Sequence, residues 1–333
     1  MNLADVNLVP RRVYATTTDE STGDVALTLS DAEVVLDRRG HALWSAVAQW
    51  LSGGLACSEL PKVMAQPPHK VVDALHGFQK AGLLVAPPRD EQVSGKAFYE
   101  QHFEPLLPSW LNEAFSHPFW DRMMSGRGSA RLYAGWLIEL YHYTRNANRH
   151  MPLAAAHCRT KPIKALFAKH YEEEWNHFHF FGRAAAAMGI PAEAVRDSSP
   201  LPMTMEMSDF MRQAARTDTL CYAICSAVLE GTTTDAGAFN PFYDKVQALY
   251  GVPPAAVKPI YDHLELDAKY QHANLFKEIC EHEGMISAKR AATVLDFGHQ
   301  MVEHIWLWTD SIEQYYGNPA SRLPRPQFDA FLD

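Results

Sequence analysis

Carboxylate and imidazole side chains recur at helical spacings in the later part of this sequence. Glu139 and His142 are three residues apart, His263 and Asp267 are four apart, and Glu230 ends an otherwise apolar stretch. A helix turns about 100° per residue, so each pair lies on one helical face. Burying unpaired ionised groups costs on the order of several kcal/mol, so a core that contains them needs a metal ion, a partner charge or water. The pattern predicts a helical bundle with a polar site in its core.

The sequence after about residue 100 is typical of an all-helical domain. Long amphipathic, aromatic-rich segments alternate with prolines, and no strand pattern is convincing after Val85. The predicted helices cover residues 107–124, 129–149, 160–188, 207–230, 240–250, 255–283 and 287–316. We therefore expect a mainly α protein with a seven-helix domain over 100–318, followed by a tail over 319–333.

The first part of the chain predicts a separate small domain over residues 26–90, after a tail over 1–25. VALTLSDAEVVLD alternates like short strands, three helical segments follow, and Ala86 to Asp90 resembles a linker. Short strands beside three helices indicate a winged helix. Three segments of this domain resemble the PqqD-like peptide-recognition domains: VVLDRRGHALWSAVAQWL, SELPKVMA and VVDALHGFQKAGLLV. The resemblance implies a peptide or a carrier-bound substrate as a partner of this domain.

Composition limits the partners and the location. The formal net charge is −9, and residues 1–95 carry 8 Lys+Arg against 11 Asp+Glu, which gives −3, so we expect no nucleic-acid partner. No apolar run approaches the roughly 18 residues of a membrane span, and the start lacks the apolar core of a signal peptide. Five scattered cysteines without a CxxC pair indicate reduced thiols. We expect a cytoplasmic homodimer with no membrane partner.

Carboxylates and imidazoles directed from facing helices into one core are how helical bundles bind non-heme iron. The joint spacing favours a metal site at Glu139, His142, Glu230, His263 and Asp267. A rival set, His170, Glu173 and His177, lies on one helical face in KHYEEEWNHFHFF. His272 is nine residues after His263, about 180° around a continuous helix, so we expect it on the solvent face.

Four segments carry a wider resemblance: HPFWDRMMSGRGSARLYAGWLIELYHYTRNANRHMPLAAA, EEEWNHFHFF, CYAICSAVLEG and HLELDAKYQHANLF. In order and spacing they resemble the heme-oxygenase-like superfamily, which includes TenA thiaminase, PqqC and the heme-oxygenase-like diiron oxidases. The resemblance implies metal ligands at Glu139, Glu230, His263 and Asp267. Asn146 and Tyr270 stand where many members have histidine, whereas His142 matches a Glu-x-x-His version. One or two Fe(II) ions are therefore implied, with the second site incomplete.

The sequence leads to one main functional hypothesis and three alternatives. The main hypothesis is an iron-dependent oxidase or oxygenase that uses O2 on a small carboxylate or amine, with Tyr270, Asn146 and Arg149 beside the metal and Arg145 or Arg149 pairing the substrate carboxylate. The alternatives are a metal-independent PqqC-like oxidase, a TenA-like hydrolase with Cys221 or Cys225 as nucleophile and Glu303 as acid, and a non-catalytic protein that binds a peptide or a partner.

Overall fold

The computed structural model of this chain describes residues 3, 6–29, 31–86, 92–231 and 236–327. The chain divides into two compact units, Met1–Glu91 and Gln92–Asp333. Each unit has a hydrophobic core of its own. Among the described residues, no helix combines the length and the hydrophobicity needed to cross a membrane.

The first unit contains strands and three helices. Its strands are β1 (Val9–Pro10), β2 (Ala15–Thr18), β3 (Val25–Thr28), β4 (Glu33–Leu36) and β5 (Leu84–Val85), and its helices are α1 (Arg38–Ser52), α2 (Leu60–Val63) and α3 (Pro68–Lys80). The order β2-β3-β4 forms an antiparallel sheet, and β1 pairs with β5. Buried Trp44 of α1 meets Phe78 of α3 edge-on, with ring centroids 5.3 Å apart. The strand-containing first unit is confirmed, whereas its PqqD-like character stays a prediction.

Two predicted segments of this unit differ from the structure or lie beyond it. The stretch 1–25, predicted as a tail, contains β1 and β2, whose backbone groups pair with β5 and β3. Residues 87–90 of the predicted linker lie outside the described residues.

The second unit is built from helices, as predicted. They are α4 (Gly95–Phe98), α5 (Leu107–Phe115), α6 (Pro118–Met124), α7 (Ala130–His157), α8 (Lys161–Glu174), α9 (Phe178–Ala187), α10 (Ala192–Arg196), α11 (Pro202–Thr217), α12 (Thr219–Gly231), α13 (Ala236–Tyr250), α14 (Pro254–Tyr270), α15 (Leu275–His282) and α16 (Ala288–Tyr316). A short antiparallel pair, β6 (Gln92–Ser94) with β7 (Met285–Ser287), was absent from the prediction.

Four of the seven predicted helices are each divided in two in the structure. Pro118 begins α6, and proline suits the first turn of a helix. Asp218 separates α11 from α12 with an extended backbone, and its carboxylate pairs with Arg290. Gln271 ends α14 in the left-handed conformation, with φ 58°. The last division, between α8 and α9, contains neither proline nor glycine.

Helix α7 lies at the centre of the bundle. It packs against α8, α9 and α11, and also against α16. The approach to α16 is close at Gly135, where a Cβ atom would lie 2.2 Å from Cγ of the Tyr316 ring. Helix α14 packs on α9, and α12 packs on α16 and α11. This arrangement brings α8, α9, α12 and α14 around one buried polar cluster.

Candidate metal centre

Seven side chains of metal-ligand type meet in the second unit, in three overlapping groups. In each group, one nitrogen or oxygen atom per residue lies within 4.8 Å of the others. The seven residues, here called the ligand cluster, are His170, Glu174, His177, Glu230, His263, Asp267 and His272. Four imidazoles and three carboxylates form a donor set that suits iron or another transition metal.

Helix α8 and the turn after it contribute three of these residues. His170 and Glu174 are four residues apart on α8, which places them on one face. The helix ends at Glu174, and His177 directly precedes α9, so its imidazole still turns toward the same carboxylate. Nδ1 of His177 lies 2.8 Å from Oε1 of Glu174. Helix α12 adds Glu230 near its end, with Oε1 3.8 Å from Nε2 of His170.

Helix α14 and the turn that follows it contribute the other three. Nδ1 of His263 lies 3.1 Å from Oδ2 of Asp267, one helical turn further on. Gln271 then adopts a left-handed conformation, and a 3₁₀ turn over His272–Asn274 follows. This change of direction carries Nδ1 of His272 to 2.9 Å from Oε1 of Glu174 and 3.5 Å from Oδ1 of Asp267.

The expectation that His272 lies on the solvent face is therefore wrong. Its side chain is 4 % exposed. The expectation assumed that the helix continues to residue 272, whereas α14 ends at Tyr270. The resemblance led us to expect a histidine at the position of Tyr270. His272, two residues later in the chain, supplies an imidazole to the cluster in its place.

The atoms of the ligand cluster are close together but poorly aligned for hydrogen bonds. Within the described residues, five buried atoms of the cluster have no hydrogen-bond partner: Nε2 of His170, Nδ1 and Nε2 of His177, Oδ1 of Asp267 and Nδ1 of His272. Buried polar atoms in folded proteins nearly always have a partner. Donor atoms that face one another at 2.8 to 3.8 Å without hydrogen-bond angles fit a set of ligands directed at a cation.

The three groups overlap, because Glu174 and His272 each occur in two of them. Glu174 is in a group with His170 and His272 and in a second group with His177 and His263. Glu230, Asp267 and His272 form the third group. A carboxylate shared between two imidazole pairs can bridge two ions, as in helical-bundle proteins with a Glu-x-x-His motif, which Glu174 and His177 match.

The electrostatics of the cluster favour binding of a cation. Burial and the nearby Glu174 and Asp267 carboxylates raise the pKa of Glu230 well above its usual range. The pKa of Glu174 is lowered: burial alone would raise it, but the contacts with His177 and His272 outweigh burial. Burial also opposes the shift at His272, where Asp267 and Glu174 raise the pKa to about 11. Without a metal the cluster thus retains protons, which a metal ion would displace.

Glu173 supports the cluster from outside. Its Oε2 accepts a hydrogen bond from Nε2 of His272, at 3.2 Å. A carboxylate that fixes the outer nitrogen of an imidazole orients the inner nitrogen toward a metal. The rival set of the sequence analysis therefore differs by one position, because Glu174 and not Glu173 joins His170 and His177 in the groups.

Two residues predicted as metal ligands, Glu139 and His142, are not in the ligand cluster. The Glu139 carboxylate is buried and accepts hydrogen bonds from the Leu201 backbone N–H and from the hydroxyls of Thr204 and Tyr316. Nε2 of His142 lies 2.8 Å from the Ser198 hydroxyl. The sequence spacing of this pair is helical, but its face of α7 packs toward α11 and α16, which satisfy the carboxylate. The structure brings together only Glu230, His263 and Asp267 of the five predicted ligands.

Of the three residues predicted beside the metal, only Tyr270 contacts the ligand cluster. Asn146 and Arg149 line a second, more open pocket, together with Arg145 and His142. Tyr270 is half-buried and stacks on His272, with ring centroids 5.6 Å apart. None of the three is among the described residues that line the cavity at the cluster.

That cavity has a volume of about 210 Å³ and borders the ligand cluster. Glu174, Glu230, His263 and Asp267 form part of its wall. Most of the remaining wall is apolar or aromatic: Phe115, Trp120, Trp136, Leu140, Met151, Phe181, Met207, Met211, Leu229, Ile260, Leu264, Ile305 and Trp308. No lysine or arginine is found among the described lining residues. An apolar pocket with few polar groups is typical of a small-molecule site.

The cysteines proposed as nucleophiles are poorly suited to that role. Burial raises the pKa of Cys221 to about 12 and that of Cys225 well above its usual range. The Cys225 thiol donates to the Phe297 carbonyl at 3.4 Å. A thiolate is the reactive form, and burial disfavours it at both positions.

Comparisons with known proteins agree with this architecture. A family model described as an iron-containing redox enzyme matches residues 134–302, half of the chain. No match was found among curated proteins. A domain of unknown function with a heme-oxygenase-like fold from Shewanella denitrificans OS217 is similar in structure: TM-score 0.58, 21 % identity, over 68 % of this chain and 97 % of that chain.

Two TenA homologues have the same fold. The one from Pseudomonas syringae pv. tomato DC3000 has a TM-score of 0.50 and 15 % identity, covering 62 % of this chain and 89 % of its own. The one from P. horikoshii OT3 has a TM-score of 0.51 and 12 % identity, covering 62 % of this chain and 94 % of its own. At these low sequence identities, the similarity shows a common fold and does not assign an activity.

Proposed function

This chain belongs to the family of iron-containing redox enzymes with a heme-oxygenase-like fold. From that membership we propose that it is an Fe(II)-dependent oxidase or oxygenase with a two-iron centre at the ligand cluster. The observation that carries the proposal is the set of five buried, unpartnered nitrogen and oxygen atoms in that cluster. Such atoms are costly to bury without a partner, at about 1–3 kcal/mol each. A pair of cations would satisfy four of them, one on each residue, while the other nitrogen of His177 keeps its proton.

The ligands would divide around the shared Glu174. His177 and His263 are close to one another on one side, and His170, Glu230 and His272 are close on the other. Asp267 lies between the two sides, because its Oδ1 is 3.5 Å from Nδ1 of both His177 and His272. Bound ferrous iron would supply the electrons that reduce dioxygen. The protein would orient His272 through Glu173 and exclude bulk water from the cavity with its apolar wall.

The cavity supports a different substrate from the one expected from the sequence. A carboxylate buried there away from the metal would have no lysine or arginine among the described lining residues, and Arg149 lines the second pocket. Transferring an ionised group to such a site is costly. We therefore propose a predominantly apolar substrate without a charged group of its own in the cavity.

Anaerobic Fe(II) titration followed by iron and protein analysis tests the proposal. We expect two ions per chain and oxygen uptake when the loaded protein meets air. His263→Ala should lower the amount of bound iron, because it removes one imidazole from the group that contains Glu174 and His177. Cys225→Ala is the matched control and should change neither quantity.

Two outcomes would contradict the proposal. Wild-type protein that binds no iron would support a scaffold role or a metal-independent PqqC-like oxidase. Turnover that needs no metal and is lost in Cys225→Ala would support a TenA-like hydrolase.

A further inference from the structure

Three residues of the cavity wall outside the ligand cluster have a buried polar atom without a hydrogen-bond partner among the described residues: Trp120, Tyr143 and His150. The last two form a pair. Tyr143 and His150 both lie on α7 and both line the cavity. Seven residues make nearly two helical turns, so the two side chains lie on the same face. Their ring centroids are 6.3 Å apart. Each has a buried polar atom without a hydrogen-bond partner among the described residues, the Tyr143 hydroxyl and Nε2 of His150.

His150 presents a donor to the cavity. Its side chain is 2 % exposed, and burial lowers its pKa to about 3, so the ring is neutral near pH 7. Nδ1 lies 2.9 Å from the Tyr222 hydroxyl. Burial raises the pKa of Tyr222 well above its usual range, so this phenol keeps its proton. We assign the Tyr222 O–H as the donor to Nδ1, because this hydroxyl has no other hydrogen-bond partner among the described residues, and this assignment leaves the imidazole proton on Nε2.

Tyr143 presents a second donor. Burial raises the pKa of this phenol, with smaller contributions from Cys225 and Glu230, so it also keeps its proton. Its hydroxyl has no acceptor within the described residues. Two donors at one cavity wall that lack a described partner destabilise the protein unless something in the cavity accepts from them.

We propose that Tyr143 and His150 form a specificity site that binds a neutral acceptor oxygen of the substrate, such as the carbonyl of a ketone, ester or amide. The wall has no lysine or arginine among its described residues, which disfavours a carboxylate held away from the metal, and two neighbouring donors favour a group that accepts hydrogen bonds. The inference rests on the proposed function only in taking this cavity as the substrate site. It narrows the substrate to an apolar molecule with a carbonyl-type oxygen.

A pair of isosteric probes tests the donor site directly. Acetophenone carries a carbonyl where α-methylstyrene carries a methylene group, and both suit an aromatic-lined cavity. Calorimetric titration of full-length protein, metal-free and loaded with redox-inactive Zn(II), should show that the ketone binds more tightly than the hydrocarbon. Tyr143→Phe should weaken ketone binding roughly five- to tenfold, because it removes one hydrogen bond, and leave hydrocarbon binding unchanged.

The chain offers a matched control. Tyr133 also has a buried hydroxyl without a described partner, but it is not among the described residues that line the cavity. Tyr133→Phe should leave the affinity for both probes unchanged. Tyr222→Phe should weaken binding of the ketone and leave binding of the hydrocarbon unchanged, because without the Tyr222 hydroxyl the imidazole proton of His150 is no longer fixed on Nε2.

Three results would overturn the inference: no binding of the ketone, equal affinity for the two probes in the wild type, or a ketone preference that needs Zn(II) and survives Tyr143→Phe. Equal affinity would mean that water satisfies the two donors, and Zn(II) dependence would mean that the carbonyl binds the metal. Iron titration of the same variants keeps the two proposals apart. A Tyr143-dependent ketone preference in a protein that binds no iron would leave the inference standing and remove the proposed function.

Discussion

Two buried glutamates allow a direct comparison between the ligand cluster and the site predicted from the sequence. Glu174 and Glu139 both lie on helices of the second unit and both are buried. We consider the same substitution at each position, Glu174→Gln and Glu139→Gln. Glutamine keeps the volume of the side chain and removes its charge, so the two variants differ only in what surrounds each carboxylate.

At Glu174 the substitution should abolish tight iron binding. Its Oε1 lies within 2.9 Å of both His177 and His272, and the residue belongs to two of the three ligand groups. Loss of a residue that merely orients a ligand lowers metal affinity about 10- to 100-fold. Loss of the shared carboxylate removes a charged ligand from both metal positions, so we expect a decrease of more than about 100-fold.

At Glu139 the same substitution should lower stability and leave iron binding unchanged. The carboxylate accepts three hydrogen bonds, from the Leu201 N–H, the Thr204 hydroxyl and the Tyr316 hydroxyl. An amide has one acceptor oxygen, so its NH2 group must face at least one donor. A buried donor left without an acceptor costs about 1–3 kcal/mol, so we expect the free energy of unfolding to fall by about 1–3 kcal/mol.

Anaerobic Fe(II) titration gives the first quantity, and urea unfolding of the metal-free proteins gives the second. The reasoning is refuted if Glu139→Gln loses its iron while Glu174→Gln keeps it. That result would place the metal on α7, as the sequence spacing predicted. Equal iron binding in both variants and the wild type would show that neither glutamate is a ligand.

Two further predictions concern the metal-free protein. Burial lowers the pKa of His150 to about 3 in the folded state, whereas its pKa in the unfolded chain is about 6.5. Between these two pH values only the unfolded chain takes up the proton. The free energy of unfolding should therefore fall by up to about 1.4 kcal/mol per pH unit as the pH drops. Urea unfolding between pH 7 and 5 should show a shallower fall in His150→Gln, and an unchanged slope would contradict the assignment. Gly135→Ala should lower the free energy of unfolding by about 1–3 kcal/mol, because its Cβ would meet a Tyr316 ring that is held by its bond to Glu139. Gly182→Ala is the control, since its Cβ would lie 3.4 Å from Tyr141; a loss of stability there as large as at residue 135 would refute the packing argument.

The helical fold followed from the sequence because its amphipathic periodicity persists over long segments. The same periodicity placed His263 and Asp267 on one face, and an isolated charge in an apolar helix marked Glu230. Glu174 was less visible because it ends a run of three glutamates, of which spacing alone favoured Glu173. Glu139 was misread because spacing reports which face a residue occupies, not what covers that face. Its donors come from residues 62 to 177 positions away in the chain.

The left-handed turn at Gln271 changes how related sequences should be compared with this one. An alignment that expects a histidine three residues after Asp267 would record Tyr270 as a lost imidazole and the chain as a degenerate member. Here the fourth imidazole is displaced by two residues, to His272, and the backbone compensates for the displacement. Substitution at an aligned ligand column is therefore not sufficient reason to classify a chain as inactive. The residues just beyond the helix end have to be inspected before a centre is counted as missing.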